Sequence, residues 1–314
     1  MAQLEFVELA EGNIQDAISV CNMSLDYDVL CPSTLRRITF RDPNFESHLA
    51  LIAYGDQKPL GFVVGCRRIK EPAEYVDPRS GWIKVIAAAH GSGRGEVEVL
   101  NLMCEFVETE LKNLGAEVVR LTDFASWHIW AGIDLRYESI LEVLENRGYS
   151  KVGEAVDYVI GLRGFYVPSR ILKLRDELHR HGIAITLAAR ADGGDLCDWV
   201  KAKFGAGWAY EVATSIENAG NNGSGTLVAK DRGGDIVGFS THGGLEPNWF
   251  GPIGVDESRR KSGVGSALLF ESLRLMRLNG IAEAIIPWTG QLFFYTQVPG
   301  IVGIRHYHIM SKNL

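Results

Sequence analysis

A short basic turn before a glycine-opened helix has the residue types needed to bind an anionic group. Three positive charges stand directly before the run Gly263-Val264-Gly265. They are Arg259, Arg260 and Lys261. Glycines let the backbone approach a ligand, and the first N–H groups of a helix lack intrahelical partners and carry partial positive charge. The turn is therefore predicted to bind phosphate, most naturally a pyrophosphate. The alternative is a basic loop that only caps a core helix.

Two regular elements must position this turn. The stretch 250–255 has the pattern of a strand, in which Pro252 indicates an edge, a bulge or a local splaying. After the turn, apolar residues recur every three or four positions, as on one face of a helix, and Asn279-Gly280 ends the pattern. The sequence thus predicts a strand, a phosphate-binding turn and a long helix in succession.

The whole stretch resembles a motif of a known superfamily. Arg260-Lys261-Ser262-Gly263-Val264-Gly265 is similar to the acyl-CoA motif of the GNAT superfamily of N-acyltransferases, Arg/Gln-x-x-Gly-x-Gly/Ala between a strand and a long helix. Glu257 and Arg259 depart from the proline and aromatic residue that often precede the motif. The resemblance covers residues 183–314. It implies acetyl-CoA, or another acyl-CoA, as cosubstrate, no metal, and CoA-binding roles for the motif residues and Ser266.

The resemblance also implies catalytic roles. The stretch 293–297 is similar to the family's short helix bearing a tyrosine, so Tyr295 is the candidate general acid for the departing thiolate. A phenol with a pKa of about 10 is still protonated when the thiolate leaves. A packed core aromatic residue is the alternative. Glu246 is the candidate general base and His242 a second candidate, with a solvated side chain as the alternative for both.

The bound acyl-CoA is expected to follow the strand before the turn. Main-chain groups of Ile253, Gly254 and Val255 are expected to lie along pantetheine and the acyl carbonyl, whose oxygen gains negative charge during transfer. Trp288 stands where the family often has an asparagine that contacts pantetheine. We therefore expect a packing contact from the Trp288 ring in place of that side-chain contact.

Length and composition favour a soluble protein of two domains. The 314 residues exceed the usual size of one compact domain, and no apolar run reaches the roughly 18–20 residues that span a bilayer. The N-terminal stretch lacks the pattern of a secretory signal. Five cysteines without a CxxC pair argue against disulfides and zinc. A net charge of −7 argues against nucleic-acid binding and is compatible with a cationic substrate. We expect a cytoplasmic protein that binds neither nucleic acid nor membrane.

The same order of elements is predicted twice, over residues 4–162 and 183–310. Each series reads strand, helix, two strands, strand, long helix, strand, short helix, strands. The predicted fold class is α/β, with two tandem GNAT-like domains, each a mixed, mostly antiparallel twisted sheet with helices on both faces. The predicted boundaries are a degenerate domain at 1–163, a linker with a mostly solvated connecting helix at 164–182, and an acyl-CoA-binding domain at 183–314.

The N-terminal half is expected not to bind acyl-CoA productively. Gly280 comes 20 residues after Arg260 and Gly115 comes 21 residues after Arg94, so an alignment counted from these arginines places Arg94–Val99 opposite Arg260–Gly265, and valines then replace the glycines while glutamates add negative charge. Leu144 stands in the place of the tyrosine. The glycine-rich stretch His90–Gly95 is the alternative phosphate loop, and a flexible strand-to-helix connection is the other interpretation.

The sequence therefore predicts an acyl-CoA-dependent N-acyltransferase, most simply one that transfers acetyl to a primary amine. The acceptor is a small-molecule or peptide amine that attacks the thioester directly, and the protein is a monomer or a homodimer. A noncatalytic acyl-CoA sensor or interaction module is the alternative from another class. Aminoacyl or long-chain acyl transfer is a third hypothesis. Trp127, His128 and Trp130 are candidates for a substrate-binding surface, with an ordinary packed loop as the alternative.

Overall fold

The computed structural model describes residues 4–70, 72–90, 95–123, 125–219 and 223–314. The chain divides into two compact units. Unit 1 consists of Met1–Ala155 and His306–Leu314, and unit 2 of Val156–Arg305. This division differs from the predicted domain boundaries mainly at the C-terminal end, where residues 306–314 belong to unit 1.

The elements alternate between strands and helices along the chain. The strands are β1 (Glu5–Glu8), β2 (Ala50–Gly55), β3 (Lys58–Arg68), β4 (Asp77–Ala88), β5 (Val118–Leu121), β6 (Ile133–Asp134), β7 (Ser150–Gly161), β8 (Ala184–Leu187), β9 (Gly225–Lys230), β10 (Ile236–His242), β11 (Phe250–Val255), β12 (Glu283–Ile286) and β13 (Ile301–Asn313). The helices are α1 (Ile14–Ser24), α2 (Pro32–Ile38), α3 (Glu96–Asn113), α4 (Glu138–Asn146), α5 (Ser169–Arg180), α6 (Gly193–Phe204), α7 (Ala206–Glu217), α8 (Val264–Leu278) and α9 (Leu292–Tyr295).

Unit 1 is built on a sheet whose first four strands, β1 to β4, are antiparallel neighbours. β5 joins β4 in parallel, and the end of β13 pairs antiparallel with β5 and with β6. Helix α3 packs closely on β3 and β4 because glycines stand beneath it. A Cβ atom at Gly61 would lie 2.5 Å from Val99 Cγ1, and one at Gly65 would lie 2.8 Å from Val107 Cγ1.

Unit 2 contains the antiparallel sheet β11-β10-β9-β8 and the antiparallel pair of β12 with the second half of β7. Helices α6 and α7 cover the face that Phe239 presents, and α8 covers the other face, where Ser240 Oγ lies 2.8 Å from Ser272 Oγ. β11 and β12 meet at one parallel bridge, Trp249 to Ile285. Beyond this bridge they belong to different sheets, so the two strands part.

Strands β7 and β13 each run through both units. Residues 150–155 and 306–313 lie in unit 1, whereas residues 156–161 and 301–305 lie in unit 2. Each unit therefore includes strand residues that the sequence-based boundaries assign to the other half of the chain.

The predicted mixed, mostly antiparallel fold class with covering helices is confirmed. The prediction missed α2, which is only seven residues long. β4 begins at Asp77, because Asp77 pairs with Arg68 of β3. Helix α5 is mostly exposed, as expected for a connecting helix, but it also packs on unit 2 along one face. Ile171, Leu174 and Leu178 form an apolar stripe that packs against apolar residues of α8.

In the described part of the chain, every helix falls short of the combined length and apolar character that crossing a membrane requires.

Candidate functional site

The basic turn between β11 and α8 has a backbone that favours glycine at one position. Gly263 has φ +92°, a conformation that other residues rarely adopt. A Cβ atom there would also lie 2.5 Å from Leu174 Cδ1 on α5. Lys261 has positive φ as well, at 64°. The chain therefore makes a tight turn at Lys261–Gly263 and enters α8 at Val264, as the sequence predicts.

The first turn of α8 presents unbonded N–H groups toward its N-terminal end. The hydrogen bond from Ala267 N to Gly263 O, at 3.0 Å, is an i to i−4 bond that begins the helical series. Because Val264, Gly265 and Ser266 precede that donor, their N–H groups have no intrahelical acceptor. Together with the helix dipole they form a site suited to an anionic group.

Gly265 lies between β11 and α9 at the start of α8. A Cβ atom on Gly265 would lie 3.4 Å from Phe294 Cζ and 3.5 Å from Val255 Cγ2, which are ordinary contact distances. A branched side chain at position 265 would crowd these neighbours beside the unbonded N–H groups.

The basic turn carries three cationic side chains, and two of them form ion pairs with nearby carboxylates. Arg260 forms an ion pair of 3.0 Å with the exposed Glu257, and Arg259 lies 3.2 Å from Asp231. A hydrogen bond from Lys203 lowers the pKa of Asp256, so this carboxylate stays ionised at neutral pH. Lys261 forms no ion pair with any residue in the described ranges. Its ammonium group is thus available to a ligand at the turn.

One edge of β11 carries main-chain groups that point away from β10. Asp256 N donates to Val237 O at 2.9 Å, and Gly254 lies opposite Phe239. Since hydrogen-bonding direction alternates along an antiparallel strand, the N–H and C=O groups of Ile253 and Val255 face the opposite edge. That edge is the outer edge of the four-stranded sheet, where β11 diverges from β12.

Gly254 has a packing reason to be glycine. A Cβ atom at this position would lie 2.6 Å from Phe204 Cζ and 2.7 Å from Phe239 Cε1. The ring of Phe204 stacks on that of Trp208, with ring centroids 5.2 Å apart. The aromatic corner between α6 and α7 therefore lies directly against the backbone of β11.

Tyr295 lies at the end of α9 among aromatic rings. Its ring centroid is 5.0 Å from that of Phe294, 6.2 Å from that of Tyr158 and 6.4 Å from that of Phe250. Burial raises the pKa of Tyr295 to about 12, so the phenol remains protonated at neutral pH and is a hydrogen-bond donor. Phe294 also lies beside Gly265, so this ring stands between the tyrosine and the start of α8.

The two candidate bases have different environments. Glu246 lies half-buried in the loop between β10 and β11, where Trp249 N donates to its carbonyl oxygen at 3.0 Å. His242 is only 1% exposed, and burial lowers its pKa to about 4. The regular pairing of β10 with β9 puts His242 on the same face as Ser240, beneath α8. A side chain buried in this way has no access to an acceptor amine, whereas the partly exposed Glu246 can be reached from solvent, which favours Glu246 as the base.

Trp288 follows β12 in an unusual conformation that a buried carboxylate supports. Its φ is +50°, and its N–H donates to Asp157 Oδ1 at 2.7 Å. Asp157 is 6% exposed and lies on β7. The sequence analysis missed Asp157. The signal was available, because a lone carboxylate within the apolar stretch 156–162 requires a polar partner.

Other predicted features lie in unit 1. Gly91–Arg94, the centre of the alternative phosphate loop, are outside the described residues. His90 Nδ1 lies 2.8 Å from Glu96 Oε2. Trp127 N donates to Asp42 Oδ2 at 3.1 Å, and His128 O accepts from Arg37 Nη1 at 3.1 Å. Among the residues described, no group of three or more His, Cys, Asp or Glu side chains could hold a metal ion.

Comparison with solved structures identifies the fold. The glucosamine N-acetyltransferase region of a fungal multi-domain GH3 β-N-acetylglucosaminidase matches with a TM-score of 0.74 and 14% identity. This match covers 99% of the chain and 38% of the longer fungal protein. A GCN5-related N-acetyltransferase from Sphaerobacter thermophilus matches with a TM-score of 0.63 and 15% identity, covering 99% of the chain and 95% of that protein.

A tandem GNAT protein from the clavulanic acid biosynthesis pathway matches with a TM-score of 0.65 and 11% identity, covering 99% of this chain and 98% of that one. The chain thus has the GNAT fold along nearly its whole length. No family model matches the sequence, and no curated protein matches it.

Proposed function

We propose that unit 2 is an acyl-CoA-dependent N-acyltransferase, most simply one that transfers acetyl from acetyl-CoA to a primary amine of a small molecule or peptide. Unit 1 does not take part in binding acyl-CoA. The GNAT fold supports acyl transfer as the reaction class, and the geometry of unit 2 supports a single acyl-CoA site.

One observation carries the proposal. The unbonded N–H groups of Val264–Ser266 follow the basic turn directly, and Gly265 lies beside both Val255 of β11 and Phe294, whose ring packs against that of Tyr295. A pyrophosphate at the helix start and a thioester along Ile253 and Val255 match this order of anion-binding and hydrogen-bonding groups. Neither a capped core helix nor a fully paired strand would leave these groups accessible.

The proposed reaction uses each group at a stated atom. The neutral amine nitrogen attacks the thioester carbonyl carbon, and the carbonyl oxygen accepts hydrogen bonds from outward-facing N–H groups of β11. The C–S bond breaks, and the thiolate takes the phenolic proton of Tyr295. The amine proton passes to the carboxylate of Glu246. Because the pKa of Tyr295 is raised to about 12, the phenol is fully protonated before the thiolate forms.

Calorimetric titration with acetyl-CoA tests the site. We expect one molecule bound per chain, with binding lost in Gly265→Val and largely kept in Gly265→Ala, because a methyl group at position 265 makes only ordinary contacts, whereas a branched side chain would crowd the helix start where the ligand is proposed to bind. Position 265 is a sharper probe than Gly263, where positive φ and Leu174 would also distort the turn. Gly194→Val, in the first turn of α6, is the matched control, because a Cβ atom at Gly194 would have no atom within 4 Å. Two molecules per chain, or full binding by Gly265→Val, would refute the single-site proposal.

A noncatalytic acyl-CoA-binding protein is the competing function. The packing of Tyr295 against three aromatic rings favours it, because a core aromatic residue has the same surroundings. Release of CoA during incubation with a panel of primary amines separates the two. Acetyl-CoA binding without CoA release from any amine would select the noncatalytic function.

A further inference from the structure

The four-stranded sheet of unit 2 ends in a strand whose outer edge has no partner strand. β8 is the last strand in the order β11-β10-β9-β8, and in the described part of the chain it pairs with β9 alone. Ala188 N donates to Thr226 O at 2.8 Å, so Ala188 and Thr186 direct their main-chain groups toward β9. The N–H and C=O groups of Ile185 and Leu187 therefore point away from the sheet.

The outer edge of β8 is bounded at both ends by hydrogen bonds within the chain. Ile183 N donates to Leu178 O at 2.9 Å, and Ala189 N donates to Asp192 Oδ2 at 2.9 Å. Both donors face the outer side of the strand, because hydrogen-bonding direction alternates along an antiparallel strand. The edge that is free to accept another strand is therefore short and comprises residues 184–188.

β8 lacks the features with which edge strands usually avoid pairing. Residues 183–189 include no charged residue and no proline. Thr186 and Leu187 are exposed, and Leu187 keeps 56% of its surface accessible. The first strand of unit 1, β1, is also an edge strand, but it carries the exposed residues Glu5 and Glu8. Charge thus protects the edge of unit 1, whereas the edge of unit 2 is uncharged.

The sequence of β8 is complementary to itself in one antiparallel register. When Thr186 lies opposite Thr186 of a second copy, Ile185 lies opposite Leu187 of that copy, and the outward-facing N–H and C=O groups of both residues find partners. Ile185 and Leu187 lie opposite Ala229 and Leu227 of β9, on the face that α8 covers. The exposed Leu187 side chain then packs against Ile185 of the second copy. Cross-strand apolar pairs and threonine pairs of this kind stabilise antiparallel sheets.

We propose that β8 pairs antiparallel with β8 of a second copy of this chain, about a twofold axis at Thr186. The two four-stranded sheets then form one continuous sheet across the axis. The interface is closed, because each copy uses the same edge and has no second copy of that edge to offer. A pair of such short strands is a small interface, so the dimer is weak and forms as the protein concentration rises. This association is independent of acyl transfer.

Sedimentation equilibrium of the full chain at increasing protein concentration tests for this dimer. The average mass should rise from that of one chain, 34.6 kDa, toward twice that value. Thr186→Lys places two like charges opposite each other on the axis, and Leu187→Pro removes an outward-facing N–H group while the bonds to β9 remain. Each variant should dimerise about tenfold more weakly or worse. Phe6→Lys, at an exposed position of the edge strand β1, is the matched control and should dimerise normally.

Disulfide cross-linking tests the register. At a position without hydrogen bonds, two facing Cα atoms of an antiparallel pair lie about 4.5 Å apart, which a disulfide can bridge. In a Cys31→Ser background, which removes an exposed native cysteine, Thr186→Cys should give a covalent dimer on mild oxidation. Ala184→Cys should not, because the two positions are then offset by roughly 14 Å along the strands.

The mass of one chain at every concentration would overturn the proposal. A dimer that Thr186→Lys leaves intact, or that Phe6→Lys weakens as much, would place the interface elsewhere and would overturn it too. Equal cross-linking of Ala184→Cys and Thr186→Cys would overturn the register at Thr186. If Leu187→Pro does not fold, as circular dichroism would show, the exposed substitution Thr186→Lys still decides the question.

Discussion

The long helices of the two units differ in where they begin. In unit 1 a glycine of β3 packs beneath Val99 of α3, and in unit 2 Gly238 of β10 packs beneath Val264 of α8. Val99 and Val264 also stand at the same sequence distance from the terminal glycines, Gly115 and Gly280. They are therefore corresponding positions. Helix α3, however, begins three residues before Val99, at Glu96, whereas α8 begins at Val264 itself.

Unit 1 thus has helix where unit 2 has the basic turn. Glu96, Val97 and Glu98 form an additional stretch of helix, and they correspond to Lys261, Ser262 and Gly263. This correspondence corrects the predicted alignment by one residue, because counting from an arginine in the loop does not preserve the register of helix packing. A lengthening of less than one helical turn, with acidic residues at the helix start, thus removes the features that favour an anion at this position.

The largest expected effect comes from giving unit 2 the helix start of unit 1. The variant Lys261→Glu, Ser262→Val, Gly263→Glu removes one cation, adds two carboxylates and replaces the positive-φ glycine. We expect its affinity for acetyl-CoA, measured by calorimetry, to fall at least about a hundredfold. Lys58→Glu, at an exposed lysine of unit 1, is the charge control and should bind normally. Near-normal binding by the triple variant would show that the different helix starts do not account for acetyl-CoA binding by unit 2 alone.

The second prediction concerns catalysis and compares Tyr295 of unit 2 with Leu144, which stands in its place in unit 1. We expect Tyr295→Phe to lower kcat about a hundredfold and to leave acetyl-CoA affinity unchanged, because the ring still packs but no longer donates a proton. Leu144→Tyr in unit 1 should add no activity to that variant. Steady-state kinetics and calorimetry on the same preparations measure both effects. An unchanged kcat in Tyr295→Phe would assign the residue a packing role only.

The third prediction compares two positions on β13, one in unit 1 and one in unit 2. Met310 lies in the part of β13 that belongs to unit 1, is 1% exposed and packs in the core of that unit. Met310→Ala should lower the free energy of unfolding by about 3 kcal/mol, measured with urea. Ile304→Ala, at a half-exposed position of the same strand in unit 2, should change it by less than about 0.5 kcal/mol. Equal effects would contradict the assignment of residues 306–313 to the core of unit 1.

The smallest predicted effect is a dependence of stability on pH. Burial lowers the pKa of His242 in unit 2 to about 4, from an unfolded value of 6.5. As the pH falls through 6.5 the unfolded chain binds a proton that the folded chain does not, so stability is lost between pH 6.5 and pH 4. Between pH 7 and pH 5 this loss amounts to about 2 kcal/mol, and His242→Leu should lack it.

Unit 1 also contains a buried histidine whose pKa is lowered, so the effect of His242 must be separated from that of His128. Burial also lowers the pKa of His128 to about 4, so the His242→Leu variant retains a second acid-sensitive group, and only the part of the pH dependence due to His242 should disappear. Urea unfolding of the wild type and His242→Leu at pH 7 and pH 5 gives the difference directly. The same pH dependence in both proteins would count against a buried neutral His242.

The sequence predicts the local elements well where one periodicity is sustained. The glycines, cations and apolar spacing around 259–280 locate the turn and α8 correctly, because each depends on neighbouring residues only. The fold class follows from the order of such elements. The proposed roles of Tyr295, Glu246 and the residues of the turn remain predictions that the experiments above test.

Other features depend on contacts between distant parts of the sequence. Asp157 and Trp288 meet only because β7 pairs with β12, and a strand's own pattern does not specify its neighbour. The close approach of Leu174 to Gly263 depends likewise on how α5 packs on α8. The continuation of β7 and β13 through both units could not be read from the sequence for the same reason.

The place of residues 306–313 has a consequence for biosynthesis. Ribosomes make a chain from its N-terminal end, and domains usually fold as they emerge. The partner of β5, however, is translated after every other strand of unit 1, and also after the whole of unit 2. While residues 156–305 are being translated, one edge of β5 therefore has no partner strand. An unpaired strand edge is a site for aggregation. Nascent unit 1 is therefore expected to depend on chaperones until the end of β13 has left the ribosome.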